Sequence, residues 1–141
     1  MNVYVDSSFV VSLYLTDIHS SEARRRIVEV SNVTLTPLHS AEWAHAIAQH
    51  EFRGNISREK ARAMDSEFVA DQKKGRWLEI AVPDQAFHLC AELARRHGSK
   101  LGMRALDSLH VACALELKAV QFWTFDERQK SLAKAERLTT N

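Results

Sequence analysis

Hydrophobic and polar positions change their spacing several times along the chain. "NVYV" (2–5) is a short, β-branched apolar run that ends at Asp6. It predicts a buried strand. "SSFVVSLYL" (7–15) opens with two hydroxyl residues and continues apolar. One strand across both stretches would be far too long, so the chain turns into a helix at Ser7–Ser8. "SSEARRRIVEV" (20–30) places Ala23, Ile27 and Val30 on one helical face. "VTLTP" (33–37) reads as a second strand stopped by Pro37, and "HSAEWAHAIAQHEFRG" (39–54) as a helix. That helix should turn Ala41, Ala44, Ile47 and Ala48 inward and stop at Gly54. "SREKARAMDSEFVADQKKG" (57–75) is a charged helix with Ala61, Met64 and Phe68 along one stripe.

"WLEIAV" (77–82) predicts a third strand, and "DQAFHLCAELARRHG" (84–98) a helix begun by Pro83 and closed by Gly98. A largely apolar helix spans 104–118, and "VQFWTF" (120–125) is a fourth strand. "ERQKSLAKAERL" (127–138) is a last helix, and the tail "LTTN" adds a short fifth strand. Strands alternate with helices throughout, so the pattern predicts an α/β fold with parallel pairing and helices on both faces. No repeat or linker divides residues 1–141, which therefore read as a single domain.

Composition adds little to this picture. Nineteen Lys and Arg against 18 Asp and Glu give a net charge of +1, which favours no class of partner. Binding of a polyanion would need a local basic surface. Cys90 and Cys113 lie in apolar helical patterns without metal or redox spacing and read as small core residues. The opening "MNVYVDSSF" has no secretory pattern, and no apolar run approaches a membrane span. The expectation is a cytoplasmic protein with no membrane partner.

The acids carry the candidate chemistry. Parallel sheets place their sites beyond the carboxyl ends of the strands. Asp6 ends strand one and Asp126 ends strand four. Glu42 falls in the first turn of the helix after strand two, and Asp107 near the start of the helix before strand four. Such carboxylates repel one another when close, and a hard divalent cation, Mg²⁺ or Mn²⁺, removes that penalty. A water-rich ion on carboxylates suits phosphoryl chemistry. Each acid also has an ordinary reading. Asp126 with Gln129 resembles a capping box, Asp107 and Glu42 suit a helix dipole, and Asp6 suits an Asx turn. Four caps need not fall on one sheet edge, however.

"VYVDSSFVVSLYL", "LHSAEWAHAI", "RALDSLHVACALEL" and "FWTFDERQKSLA" together resemble the PIN-domain ribonucleases, and more narrowly the VapC-type toxins of bacterial toxin–antitoxin pairs. The likeness runs from about residue 2 to about residue 138, and "RALDSLHVA" and "TFDERQ" are its most specific pieces. It implies a three-layer α/β/α sandwich with a four- or five-stranded parallel sheet. It also implies an acidic quartet that holds Mg²⁺ or Mn²⁺ and cleaves RNA endonucleolytically, leaving 5′-phosphate and 3′-hydroxyl ends. By match of motif the quartet is Asp6, Glu42, Asp107 and Asp126, with Ser7, Ser8 and Thr124 as hydroxyls that orient it. A cognate antitoxin and a homodimer are implied partners. Lys118 and Arg137 depart from the pattern, standing where glycine is common after a helix, at about 1 kcal/mol each.

RNA phosphate contact falls first to Arg104, then to Lys100 and Arg96 among several basic residues. Trp43 and Trp77 are aromatic enough to stack on bases, but such residues are more often core or interface. Apolar residues between 43 and 72 offer a surface for a partner helix, with intramolecular packing as the default. Glu42 with His45, and Asp107 with His110, share the spacing of di-iron bundles, which the strands at 2–5 and 120–125 argue against. His110 reads instead as a core residue or one supporting the acids. Two rival functions are a non-catalytic PIN-fold module for RNA or protein and a phosphoacceptor domain. The first predicts loss of an acid, and the second wants a lysine ending the last strand. The chain shows neither.

Overall fold

A computed structural model describes residues 2–141. The elements in chain order are β1 (Val3–Val5), α1 (Ser7–Tyr14), α2 (Ser20–Ile27), β2 (Val33–Leu35), α3 (Pro37–Phe52) and α4 (Arg58–Lys73). They continue as β3 (Trp77–Glu79), α5 (Ala86–Leu101), α6 (Ala105–Glu116), β4 (Gln121–Trp123), α7 (Glu127–Ala135) and β5 (Thr139–Thr140). The strands are very short, and all of them pair in parallel. They form a three-stranded sheet in the order β1-β4-β5 and a two-stranded sheet of β2 and β3. The expected fifth strand is therefore present. The chain divides into two compact units, one of residues up to Asp6 with Val82–Asn141, the other of Ser7–Ala81.

In the first unit, β1 is buried at every position, as a strand covered on both faces must be. Tyr4 pairs with Phe122 in the β1–β4 register, and their rings stack 5.5 Å apart. Helix α5 packs along α6, and α7 packs on α6, β4 and β5. Ser108 through Ala114 of α6 are all buried, which explains why this helix reads apolar all round. Helix α5 does not close at Gly98. It runs on to Leu101 and ends at Gly102, whose φ of 65° supplies the left-handed cap. Gly98 stays helical because nothing beyond it breaks the pattern until Gly102.

Lys118 and Arg137 adopt the left-handed conformation without being glycine, with φ of 59° and 67°. Both sit in the backbone motif that closes a helix. Ala119 donates to the Ala114 carbonyl, and Leu138 to that of Ala133, each at 2.9 Å. The cap forms despite the side chain. The Asn2 amide supports the first one by donating to the carbonyls of Leu117 and Lys118 at 3.0 and 2.7 Å.

In the second unit, an aromatic cluster forms the core. Trp43 stacks on Phe68 at 4.5 Å, and Tyr14 meets Trp43, Phe68 and Trp77 at its edges or at a tilt. Both tryptophans are core residues and not exposed base platforms. The buried face of α3 is His39, Trp43 and Ile47, so Ala41, Ala44 and Ala48 face outward. The bulky residues take the core, because burying an indole gains far more than burying methyl groups. Pro37 also starts this helix and does not merely stop the strand, its missing N–H costing nothing at the first position. Glu42 accordingly lies in the second turn. Helix α2 ends at Ile27, leaving Val30 outside it, while the Ala61–Met64–Phe68 stripe of α4 is buried as expected.

Candidate active site

The β1–β4 register brings the carboxyl ends of these strands together. Val5 pairs with Trp123, so Asp6 stands opposite Thr124. The Asp6 N–H donates to the Trp123 carbonyl at 3.1 Å. Asp6 is almost fully buried, at 5% exposure, and its Oδ2 accepts from Thr124 Oγ1 at 2.8 Å. The same hydroxyl accepts from the Asp126 N–H at 3.0 Å. Asp126 caps α7, where its Oδ1 accepts from the Gln129 N–H at 2.8 Å. The capping reading of Asp126 is thus half right. The side chain of Gln129 does not reach back to the cap N–H, which Thr124 already holds. It turns inward, with Oε1 2.7 Å from Thr124 Oγ1 and Nε2 donating to the Asp107 carbonyl at 3.1 Å.

Asp107 lies in the first turn of α6, where the exposed backbone N–H groups favour an acid. Asp107 and Asp126 line an open cleft of about 310 Å³ together with Arg104, Glu127 and Arg128. Arg104 Nε is 3.4 Å from Asp107 Oδ2, a loose pair whose arginine is 82% exposed and whose aspartate is 18% exposed.

Asp6, Asp107 and Asp126 are therefore linked through Thr124 and Gln129, Asp107 by its main-chain carbonyl. Glu42 belongs to the other unit, where it accepts from Ser7 Oγ at 2.9 Å. Ser8 is exposed. His110 is buried in the core with its Nδ1 2.8 Å from Tyr4 Oη. His45 is exposed, and the pairing of β1 with β4 just before Asp6 and Asp126 is not the helical bundle a di-iron centre needs. Of the basic candidates Arg104 lines the cleft, while Arg96 pairs with Glu136 at 3.0 Å and Lys100 is exposed near the end of α5. Arg128, absent from the sequence candidates, also lines the cleft. Gln129 was visible only as a helix cap, because nothing in the sequence says which way its amide turns.

The family model for the PIN domain matches residues 3–135. The chain belongs to the PIN-domain family. No curated protein matches it. Among solved structures, VapC20 of Mycobacterium tuberculosis, a sarcin–ricin-loop-cleaving toxin, is similar at 17% identity and a TM-score of 0.69, over 92% of this chain and 93% of that one. VapBC2 of Rickettsia felis, bound to a DNA fragment from its promoter, is similar at 14% identity and a TM-score of 0.70, over 100% and 98%. FitAcB of Neisseria gonorrhoeae is similar at 14% identity and a TM-score of 0.70, over 98% and 95%. These likenesses establish the α/β fold of the PIN family for this chain.

Does the PIN site suit a divalent cation? Among the described residues, no three His, Cys, Asp or Glu side chains form a ready-made cage. Mg²⁺ does not need one, since it keeps several waters and binds through one or two carboxylates. The donors at the cleft are carboxylate oxygens, which suit a hard ion, and no thiolate or imidazole lines it. The present counter-charge on Asp107 is an exposed guanidinium held at 3.4 Å. The donor set fits.

Proposed function

We propose that this chain is a divalent-metal-dependent endoribonuclease, the toxin of a VapC-type toxin–antitoxin pair. The observation that carries the reading is the linking of Asp6 and Asp126, at the ends of β1 and β4, to the Asp107 main chain at the start of α6 through Thr124 and Gln129 in a PIN-family chain. Both compact units then form one PIN domain, since the family match runs through both. Mg²⁺ or Mn²⁺ supplies charge stabilisation and an activated water for hydrolysis of an RNA phosphodiester.

The protein's own part is to hold and orient. Asp6, Asp107 and Asp126 offer oxygen ligands. Glu42 is taken as the fourth acid from the motif match alone, with Ser7 donating to it. Thr124 fixes the carboxylate of Asp6, and Arg104 and Arg128 at the cleft attract backbone phosphate. Lys100 and Arg96 are weaker phosphate candidates, Arg96 because Glu136 already holds it. Ser8 supports the site only by its match to the family motif, and His110 supports it by anchoring α6 to β1 through Tyr4.

The likeness to the VapBC2 and FitAcB structures supports a cognate antitoxin as partner, and action in the cytoplasm as a homodimer is part of the same proposal. Among the described residues no helix is long and apolar enough to cross a membrane. The reading is tested by incubating a mixed tRNA and rRNA pool with the protein and Mg²⁺, Mn²⁺ or EDTA. Discrete fragments that need the metal and vanish with Asp107→Asn are expected. Folded protein, free of antitoxin, that cuts nothing under either metal contradicts the reading and favours a binding module.

A further inference from the structure

Thr124 presents a problem of proton supply. Its hydroxyl has one hydrogen, yet two acceptor oxygens stand within bonding distance. Asp6 Oδ2 is at 2.8 Å and Gln129 Oε1 at 2.7 Å. A third group, the Asp126 N–H, already donates to the hydroxyl oxygen. The Gln129 amide cannot resolve the conflict by turning over. Its nitrogen donates to the Asp107 carbonyl, and the opposite orientation would set two carbonyl oxygens against each other. All of this is buried, with Thr124 and Gln129 at 0% exposure. A donor left unpaired there would be costly.

We propose that Gln129 is a positioning residue that lets Asp6 exchange a hydrogen bond for a cation. When Asp6 is without a cation, Thr124 donates to its carboxylate. When a cation takes that oxygen, the hydroxyl rotates and donates to Gln129 Oε1. The Thr124 hydrogen thus has an acceptor in both states, Asp6 in the first and Gln129 in the second, and the bond from Gln129 to Asp107 fixes which end of the amide faces Thr124. No proton is gained or lost, and only the hydroxyl rotor moves. The inference rests on the metal-nuclease reading above. It adds a role for a residue whose sequence position suggested only a helix cap.

The test is calorimetric titration of Mn²⁺ into the full chain, with helix content and melting temperature measured alongside. Gln129→Met keeps the length but removes the acceptor, and Thr124→Val removes the hydroxyl hydrogen that Gln129 is proposed to receive. For a residue that supports a metal ligand, Gln129→Met should weaken Mn²⁺ affinity by about 10–100-fold, while the same substitution made on top of Thr124→Val should change affinity by less than about threefold. A purely structural role would lower the melting temperature and leave affinity alone. Folded Gln129→Met that binds Mn²⁺ like wild type overturns the proposal, as does an equal loss of affinity with and without the Thr124 hydroxyl. Should Gln129→Met fail to fold, Gln129→Asn, which keeps the amide but draws it back from Thr124, is held to the same two outcomes. Wild type that binds no Mn²⁺ at all removes the nuclease reading itself, and the proposal with it.

Discussion

Both units pair acids with neutral donors, but to opposite ends. In the unit of Ser7–Ala81, Asp65 and Asp71 serve the aromatic core. Trp43 Nε1 donates to Asp65 at 2.7 Å, the Tyr14 hydroxyl donates to Asp71, and Trp77 Nε1 donates to the Tyr14 oxygen at 2.6 Å. Each carboxylate satisfies the polar tip of a large ring that would otherwise be buried unpaired. In the unit holding β1, β4 and β5, Asp6 and Asp126 stand at strand ends, and Asp126 faces a polar cleft together with Asp107 from the start of α6. Threonine, glutamine and backbone groups hold them there. An acid that completes a ring's hydrogen bond is finished structure. An acid at a strand edge with oxygen lone pairs facing a cleft still has capacity to bind.

The largest expected effect separates these two kinds of acid by chemistry. Loss of a metal-holding carboxylate removes several kcal/mol of transition-state stabilisation, so Asp107→Asn and Asp126→Asn should each slow RNA cleavage by about a hundredfold or more. Asp65→Asn, in the aromatic unit, should cleave within about threefold of wild type as long as it folds. Comparing the initial rates of the three variants checks the division.

Stability should show the reverse pattern. Phe68 is buried and stacked on Trp43, so Phe68→Ala should cost about 3–5 kcal/mol. Denaturant titration reads this directly, and Asp107→Asn should cost much less by the same measure. An equal loss in the two would blur the distinction between core and site.

The dependence on alkaline pH is smaller and comes from both units. Burial pushes the Cys113 thiol up to about 11 from an ordinary value of 9.0. Burial, reinforced by the bond to Asp71, pushes the Tyr14 phenol well above the ordinary range. Both groups are neutral below their unfolded values, so folding is unaffected there. Above pH 9 the unfolded state sheds the cysteine proton more readily than the folded state. Stability should then fall as the pH rises from about 9 to about 11, with Tyr14 extending the loss upward. Melting temperatures across pH 7 to 11 should decline mainly above 9, and Cys113→Ala should flatten the first part of that decline.

The smallest effect concerns the two strained helix ends of the β1–β4–β5 unit. Lys118→Gly and Arg137→Gly should each stabilise the chain by about 1 kcal/mol, because glycine adopts a positive φ without the clash of a side chain. A rise of a few degrees in melting temperature is the expected reading.

The comparison also shows what could be read from the sequence. Every strand and helix was legible, since each short apolar run and each cap signal is local. Asp6, Asp107 and Asp126 were legible because strand ends and helix starts fix their edge of the sheet. The strain at Lys118 and Arg137 was legible too, because a helix closing without glycine must force another residue into the glycine conformation. The inward face of α3 was not. Its alanines formed an apparent stripe, but Trp43 and His39 took the core by volume and by hydrogen bonding. The path of α5 through Gly98 also escaped, because Gly98 and Gly102 are equal as stop signals and only the following backbone decides. Gln129 escaped for a different reason. Its role depends on which way one amide turns, and that direction is set by Thr124 on the preceding loop and by the Asp107 carbonyl, which lies far away in sequence.

The central claim is that acids at the strand edge bind a cation while those tied to aromatic rings do not. It is tested most directly by titrating Mn²⁺ calorimetrically into wild type, Asp107→Asn and Asp65→Asn. The account predicts saturable binding in wild type and Asp65→Asn, and its loss in Asp107→Asn. Binding that survives in Asp107→Asn, or is lost equally in Asp65→Asn, would contradict it.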